Sequence, residues 1–143
     1  MLVAPVGAKV GPRDKFDIPD KSLTPQAEPD AMTMGNPEKG RFIVEGQSDE
    51  ELRILARNKE TMALAAWEPY IHNLKLKHRL YGIDRPTLIL HGSQDRLVSA
   101  ACCDVYAKLI PGCTFETNPN AGHSPQNETP EAFVERVTRF ALN

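Results

Sequence analysis

The chain has 143 residues, 41% hydrophobic and 25% charged, with a formal net charge of −2. This length and composition fit one globular domain with a real core and fall short of two. The balanced charge argues against a nucleic-acid partner, and no apolar run approaches the roughly 18 residues a membrane span needs.

The opening M-L-V-A-P-V-G-A-K-V has no basic lead-in, and Pro5, Gly7 and Lys9 interrupt it early, so it does not read as a signal peptide. Residues 2–6, L-V-A-P-V, predict a short buried strand, so the strand spans 1–6. Residues 7–40 then hold five of the 12 prolines, with Gly, Asp and Lys between them. An excursion that long is functional or disordered more often than a plain connector. Residues 48–66 predict a helix: Ser48 and Glu51 form the S-x-x-E capping box, and Leu52, Leu55 and Met62 fall near helical spacing. Residues 70–81, Y-I-H-N-L-K-L-K-H-R-L-Y, predict a second helix with basic residues at its end, where the helix dipole favours them.

The texture changes after Pro86. T-L-I-L-H at 87–91 is a compact apolar run leading into Gly92-Ser93-Gln94-Asp95, the pattern of a buried parallel strand feeding a loop. Residues 99–110 predict a helix with Cys102, Val105, Tyr106 and Leu109 on one face, stopped by Pro111-Gly112. Three cysteines without a secretion signal fit reduced thiols in a cytoplasm. The adjacent Cys102 and Cys103 are reactive thiols or, more commonly for such residues, small buried apolar side chains. C-T-F-E-T at 113–117 predicts another strand, followed by N-P-N-A-G-H. Thr129-Pro130 opens the last helix as N-cap and N1 proline, with an apolar face of Phe133, Val134, Val137, Phe140 and Ala141.

The second half thus reads strand, helix, strand, helix: a right-handed βαβ unit on a parallel sheet. Ligands of such sheets bind beyond the carboxyl ends of the strands. Asp95 and His123 each follow a strand by a short loop, on the same edge. A carboxylate bonded to one imidazole nitrogen sets the tautomer and leaves the other nitrogen free as a base. Singly, Asp95 would be a turn residue and His123 a solvated loop side chain; their matched placement is what favours a catalytic pair.

R-P-T-L-I-L-H-G-S-Q-D-R-L-V resembles the acid-bearing strand and loop of the α/β-hydrolases. N-P-N-A-G-H-S-P resembles their histidine loop, T-P-E-A-F-V-E-R-V-T-R-F their closing helix, and L-V-A-P-V-G the strand after the nucleophile's helix. The resemblance implies an α/β fold: the C-terminal portion of an α/β-hydrolase, with parallel strands, flanking helices and a helical lid. Residues 1–6 and 85–143 would be core and 7–84 the lid. Asp95 would be the triad acid and His123 the general base. The family's nucleophile sits on a G-x-S-x-G elbow, with an oxyanion hole beside it; neither is found. The nearest imitation is G-Q-S-D-E at 46–50, with Ser48 in the order nucleophile, acid, histidine. Glu50 stands where the second glycine belongs, however, and Ser48 also reads as an N-cap.

The expectation is therefore a hydrolase of ester or related C–C or C–X bonds. The nucleophile would lie in a complementary N-terminal half, and the chain would be inactive alone. The edge of the first strand would be open to that half or to self-association. The alternative is a non-catalytic ligand-binding or interaction remnant of the fold. A small apolar substrate or ligand is expected, with Trp67 and His91 as pocket residues and Tyr70, Leu74 and Leu76 on the lid side. No cofactor is expected. No metal site is expected either, because His72, His78, His91 and His123 show no H-x-H or H-E-x-x-H spacing.

Overall fold

The computed structural model describes residues 1–20, 32–36, 46–67 and 69–142. Its centre is a parallel three-stranded sheet in the order β1-β2-β3, formed by Leu2–Val3, Thr87–Gly92 and Cys113–Asn118. The β2–β3 register runs from Thr87 opposite Cys113 to Gly92 opposite Asn118, so both strands end at one edge. Every residue of β2 is buried, as expected of a central strand whose two faces are both covered.

β1 is shorter than residues 1–6. Leu2 and Val3 pair with Ile89 and Leu90, and the Ala4 N–H still donates to the Leu90 carbonyl. Ala4 then turns to φ +41°, and Pro5 has no N–H to continue the ladder. Among the described residues β1 pairs only with β2, leaving its outer edge without a ladder partner.

Helix α1, Asp49–Ala66, begins as its capping box requires. The Ser48 hydroxyl accepts from the Glu51 N–H, and the Glu51 carboxylate accepts from the Ser48 N–H. The helix expected over 70–81 is only Lys77–Leu80, α2. Tertiary contacts override the local preference upstream of it. Ile71 adopts φ +46°, His72 bridges to Gly7, and the Asn73 N–H donates to the Gly7 carbonyl. The Asn73 side chain also accepts from the Lys75 N–H, the local turn bond with which asparagine competes against helix.

Helix α3, Ala100–Leu109, covers one face of the sheet through Cys102, Cys103 and Tyr106. Its core with Ile89 and Ile110 also takes in Ala4, Ala8, Ile18 and Leu80, so residues from 7–84 share the sheet's own core. Tyr70 packs on Phe16 with ring centroids 5.1 Å apart, and Tyr70 and Leu76 flank the same cluster. A one-turn helix that sequence periodicity misses, α4 at Pro125–Glu128, precedes α5 at Pro130–Leu142. No residue of α5 is fully buried; Phe133, Val137 and Phe140 are half-buried and Val134 is exposed. No helix among the described residues is long and apolar enough to cross a membrane.

One polar knot anchors the turn after β1. Asp17 accepts from the N–H groups of Val10 and Gly11 and pairs with Lys9 at 3.0 Å. Burial alone would raise its carboxyl; the two N–H groups and the Lys9 ammonium outweigh burial and hold it below the ordinary 3.8. A depressed carboxyl stabilises the fold above its unfolded value, and that stability is lost as pH falls through the folded value. Asp17→Asn is expected to cost about 1–3 kcal/mol at neutral pH. The deficit should shrink as the pH falls below 3.8. Urea titrations of both proteins at pH 7 and pH 3 check this; a deficit that does not change with pH would refute the account.

Candidate active site

The Asp95 side chain is fully buried and the His123 side chain 30% exposed. Nδ1 of His123 lies 2.9 Å from Asp95 Oδ2. The other oxygen, Oδ1, accepts from the N–H groups of Leu97 and Val98, each at 2.9 Å. A carboxylate only accepts, so Nδ1 carries the hydrogen and Nε2 is left with a lone pair. The Asp95 turn holds both ends of that arrangement: two backbone donors orient the carboxylate, and the carboxylate orients the ring.

The two loops are stitched to each other. The Ser93 and Gln94 N–H groups donate to the Asn118 and Ala121 carbonyls, and the Asn120 N–H donates to the Ser93 hydroxyl. Asn120 takes φ +59°, a conformation asparagine tolerates better than most residues. The contact is so close that a Cβ on Gly92 would lie 1.9 Å from the Gly122 carbonyl oxygen. A segment far away in sequence joins in: Met32 accepts from the Arg96 N–H, and Thr33 accepts from the His123 N–H. Nothing in the composition of residues 7–40 pointed to that contact.

The other expected site residues are placed differently. His91 is 4% exposed, and its Nε2 donates to the Val98 carbonyl at 2.8 Å. It braces the turn that carries Asp95. Trp67 sits at the C-terminal cap of α1, 71% exposed. Ser48 is exposed, and its hydroxyl bonds to Glu51; no hydrogen bond among the described residues joins it to His123. Cys103 is buried; burial, then Cys102 and Asp95, push its thiol up to about 12. It therefore stays protonated at neutral pH and is a poor nucleophile. Among the described residues no three His, Cys, Asp or Glu side chains are grouped as metal ligands would be.

The Asp95–His123 pair stands on successive loops at the carboxyl edge of a parallel sheet, the edge at which ligands of such sheets bind. No family model matches the chain. Over 65 residues, 46% of this chain and 19% of the relative, it is 34% identical to monoacylglycerol lipase abhd6-A of Xenopus laevis. A membrane phospholipase A described as a bacterial virulence factor superposes on 98% of the chain and 47% of its own, with TM-score 0.67 and 21% identity. The esterase EaEST of Exiguobacterium antarcticum superposes on 82% of the chain and 41% of its own, with TM-score 0.55 and 17% identity. The chain has the fold of part of an α/β-hydrolase. It spans less than half the length of each of these relatives.

Proposed function

We propose that this chain carries the acid, Asp95, and the general base, His123, of a hydrolase that cleaves an ester or a related C–C or C–X bond in a small apolar substrate. The observation that carries the reading is the bond from His123 Nδ1 to a carboxylate whose second oxygen is held by two backbone N–H groups. In this reading Nε2 takes the proton from the nucleophile as it attacks the substrate and returns it to the leaving group. The partial match to a monoacylglycerol lipase favours an ester. In this reading residues 7–84 supply the lid over the substrate, with Ala8, Ile18 and Leu80 tying that region to the sheet's own core.

On the same reading the nucleophile and the oxyanion donors lie outside this chain, in a complementary N-terminal half that would pair with the edge of β1 that has no ladder partner among the described residues. The sequence holds no G-x-S-x-G, and Ser48 has a capping role of its own. Oxyanion donors alone are commonly worth about 10²–10³ in rate, so the isolated 143-residue chain is expected to leave a short p-nitrophenyl ester at the buffer rate. His123→Ala should then change nothing. Turnover by the isolated chain that disappears in Ser48→Ala would place the nucleophile at Ser48 and overturn the two-part reading. An in-frame G-x-S-x-G in the DNA upstream would support it.

A non-catalytic ligand-binding or interaction remnant is the second reading. One observation favours it: apolar side chains such as Trp67, Leu64 and Val134 stand exposed. An upstream sequence with no elbow would favour it further.

A further inference from the structure

Glu128 is 5% exposed, yet no lysine, arginine or histidine pairs with it among the described residues. A buried carboxylate without a cation is costly unless hydrogen bonds replace its water. Here they come from the backbone of two separate segments. Oε1 accepts from the Gly122 N–H at 2.9 Å. Oε2 accepts from the Gly35 N–H at 2.7 Å and, more weakly, from the Asn36 N–H at 3.4 Å. Donors converge on both oxygens, so the position suits an acceptor-only group. A glutamine would have to turn its NH₂ toward one set of N–H groups.

The two segments leave no room for side chains between them. A Cβ on Gly122 would lie 2.5 Å from both the Gly35 nitrogen and the Thr33 carbonyl oxygen. A Cβ on Gly35 would meet Gln94 Oε1 at 2.4 Å and the Gly122 nitrogen at 3.2 Å. Segment 32–36 also accepts from the N–H of His123 and of Arg96, so it touches the histidine loop and the acid loop together.

We infer that Glu128 is the positioning residue of His123: its carboxylate clamps segment 32–36 to the peptide just before the histidine and so sets the ring against Asp95. Its catalytic meaning rests on the reading of His123 as the general base; the positioning itself does not. One turn of helix, begun at Pro125, brings Glu128 back to Gly122, which is why the two residues lie only six positions apart. Docking of segment 32–36 and the orientation of the base are then one event.

The test uses the 143-residue chain and needs no substrate. In Glu128→Gln, amide exchange at Gly35 and Gly122 should accelerate by about tenfold or more, while Ile89 and Leu90 in β2 keep wild-type rates. The His123 ring should lose its bonded Nδ1–H signal in long-range ¹H–¹⁵N spectra. Gly122→Ala, whose Cβ would meet the backbone of Thr33 and Gly35 at 2.5 Å, displaces the segment without a contact to the carboxylate and should give the same His123 spectrum. It also serves as the deciding variant if Glu128→Gln does not fold. Wild-type exchange at Gly35 and Gly122 in Glu128→Gln, or a lower melting temperature with the bonded His123 Nδ1–H signal retained in either variant, would overturn the inference. Ester turnover unaffected by His123→Ala in a nucleophile-bearing form would sink the functional reading alone.

Discussion

Asp95→Asn is expected to leave the fold standing and to move the proton of His123 from Nδ1 to Nε2. The asparagine oxygen replaces Oδ1 and keeps both bonds from the N–H groups of Leu97 and Val98. Its NH₂ then takes the place of Oδ2 and faces His123 Nδ1. Two donors cannot share one bond, so the ring presents its lone pair at Nδ1 and carries its hydrogen at Nε2. Nε2 is then unable to accept a proton from a nucleophile. In triad enzymes this change of tautomer lowers kcat by about 10⁴, and a loss of that order is expected for ester turnover once the nucleophile-bearing half is supplied. Imidazole ¹⁵N shifts read the tautomer directly in this chain. An unchanged Nδ1–H tautomer in a folded Asp95→Asn protein would refute the assignment. Asp95→Ala is the harsher variant, because the N–H groups of Leu97 and Val98 lose their buried acceptor.

The second large effect is expected at Gly92, the last residue of β2. Its backbone passes so close to the histidine loop that a Cβ would meet the Gly122 oxygen at 1.9 Å and the Ala121 oxygen at 2.4 Å. These are backbone atoms of the histidine loop, itself hydrogen-bonded to the acid loop, and no flexible side chain can give way. Gly92→Ala must therefore push the loops apart. Overpacking of a core commonly costs about 1–3 kcal/mol; with rigid backbone on both sides the upper end of that range or more is expected here. The same displacement should weaken the Asp95–His123 bond. Gly82→Ala is the control, since its Cβ would meet only the Arg79 oxygen at 3.4 Å. Urea midpoints of the two variants decide the point: equal stability would remove the close approach as an organising contact.

The pairing of Asp95 with His123 was legible because two strong local signals coincide. T-L-I-L-H and C-T-F-E-T are compact runs bounded by Pro86, Pro111-Gly112 and N-P-N-A-G, and they place Asp95 and His123 at the ends of neighbouring strands. The capping box at Ser48 was equally local and formed as written. The helix expected over 70–81 shows the opposite case. Its periodicity was real, but Gly7, more than sixty residues away, takes the Asn73 N–H and the His72 bridge, and helix survives only at Lys77–Leu80. Glu128 was invisible for a related reason. Its identity reads as a surface acid, and only the fold shows it buried against donors from residues 35, 36 and 122.

By itself the amino-acid sequence determined what short-range physics controls from Pro86 onward: the strands at 87 and 113, the helix between them and its stop, their parallel order, and with it the edge on which Asp95 and His123 emerge. Those follow from patterns a few residues long and from the handedness of the chain. The tertiary structure alone decided which groups meet across long separations. It bonded His91 to the acid turn, left Trp67 on the surface, and brought segment 32–36 and Glu128 onto the histidine loop. The physical reason is that a backbone hydrogen bond carries no side-chain signature: Thr33 and Gly35 contribute a carbonyl and an N–H that any residue possesses, and only packing selects them.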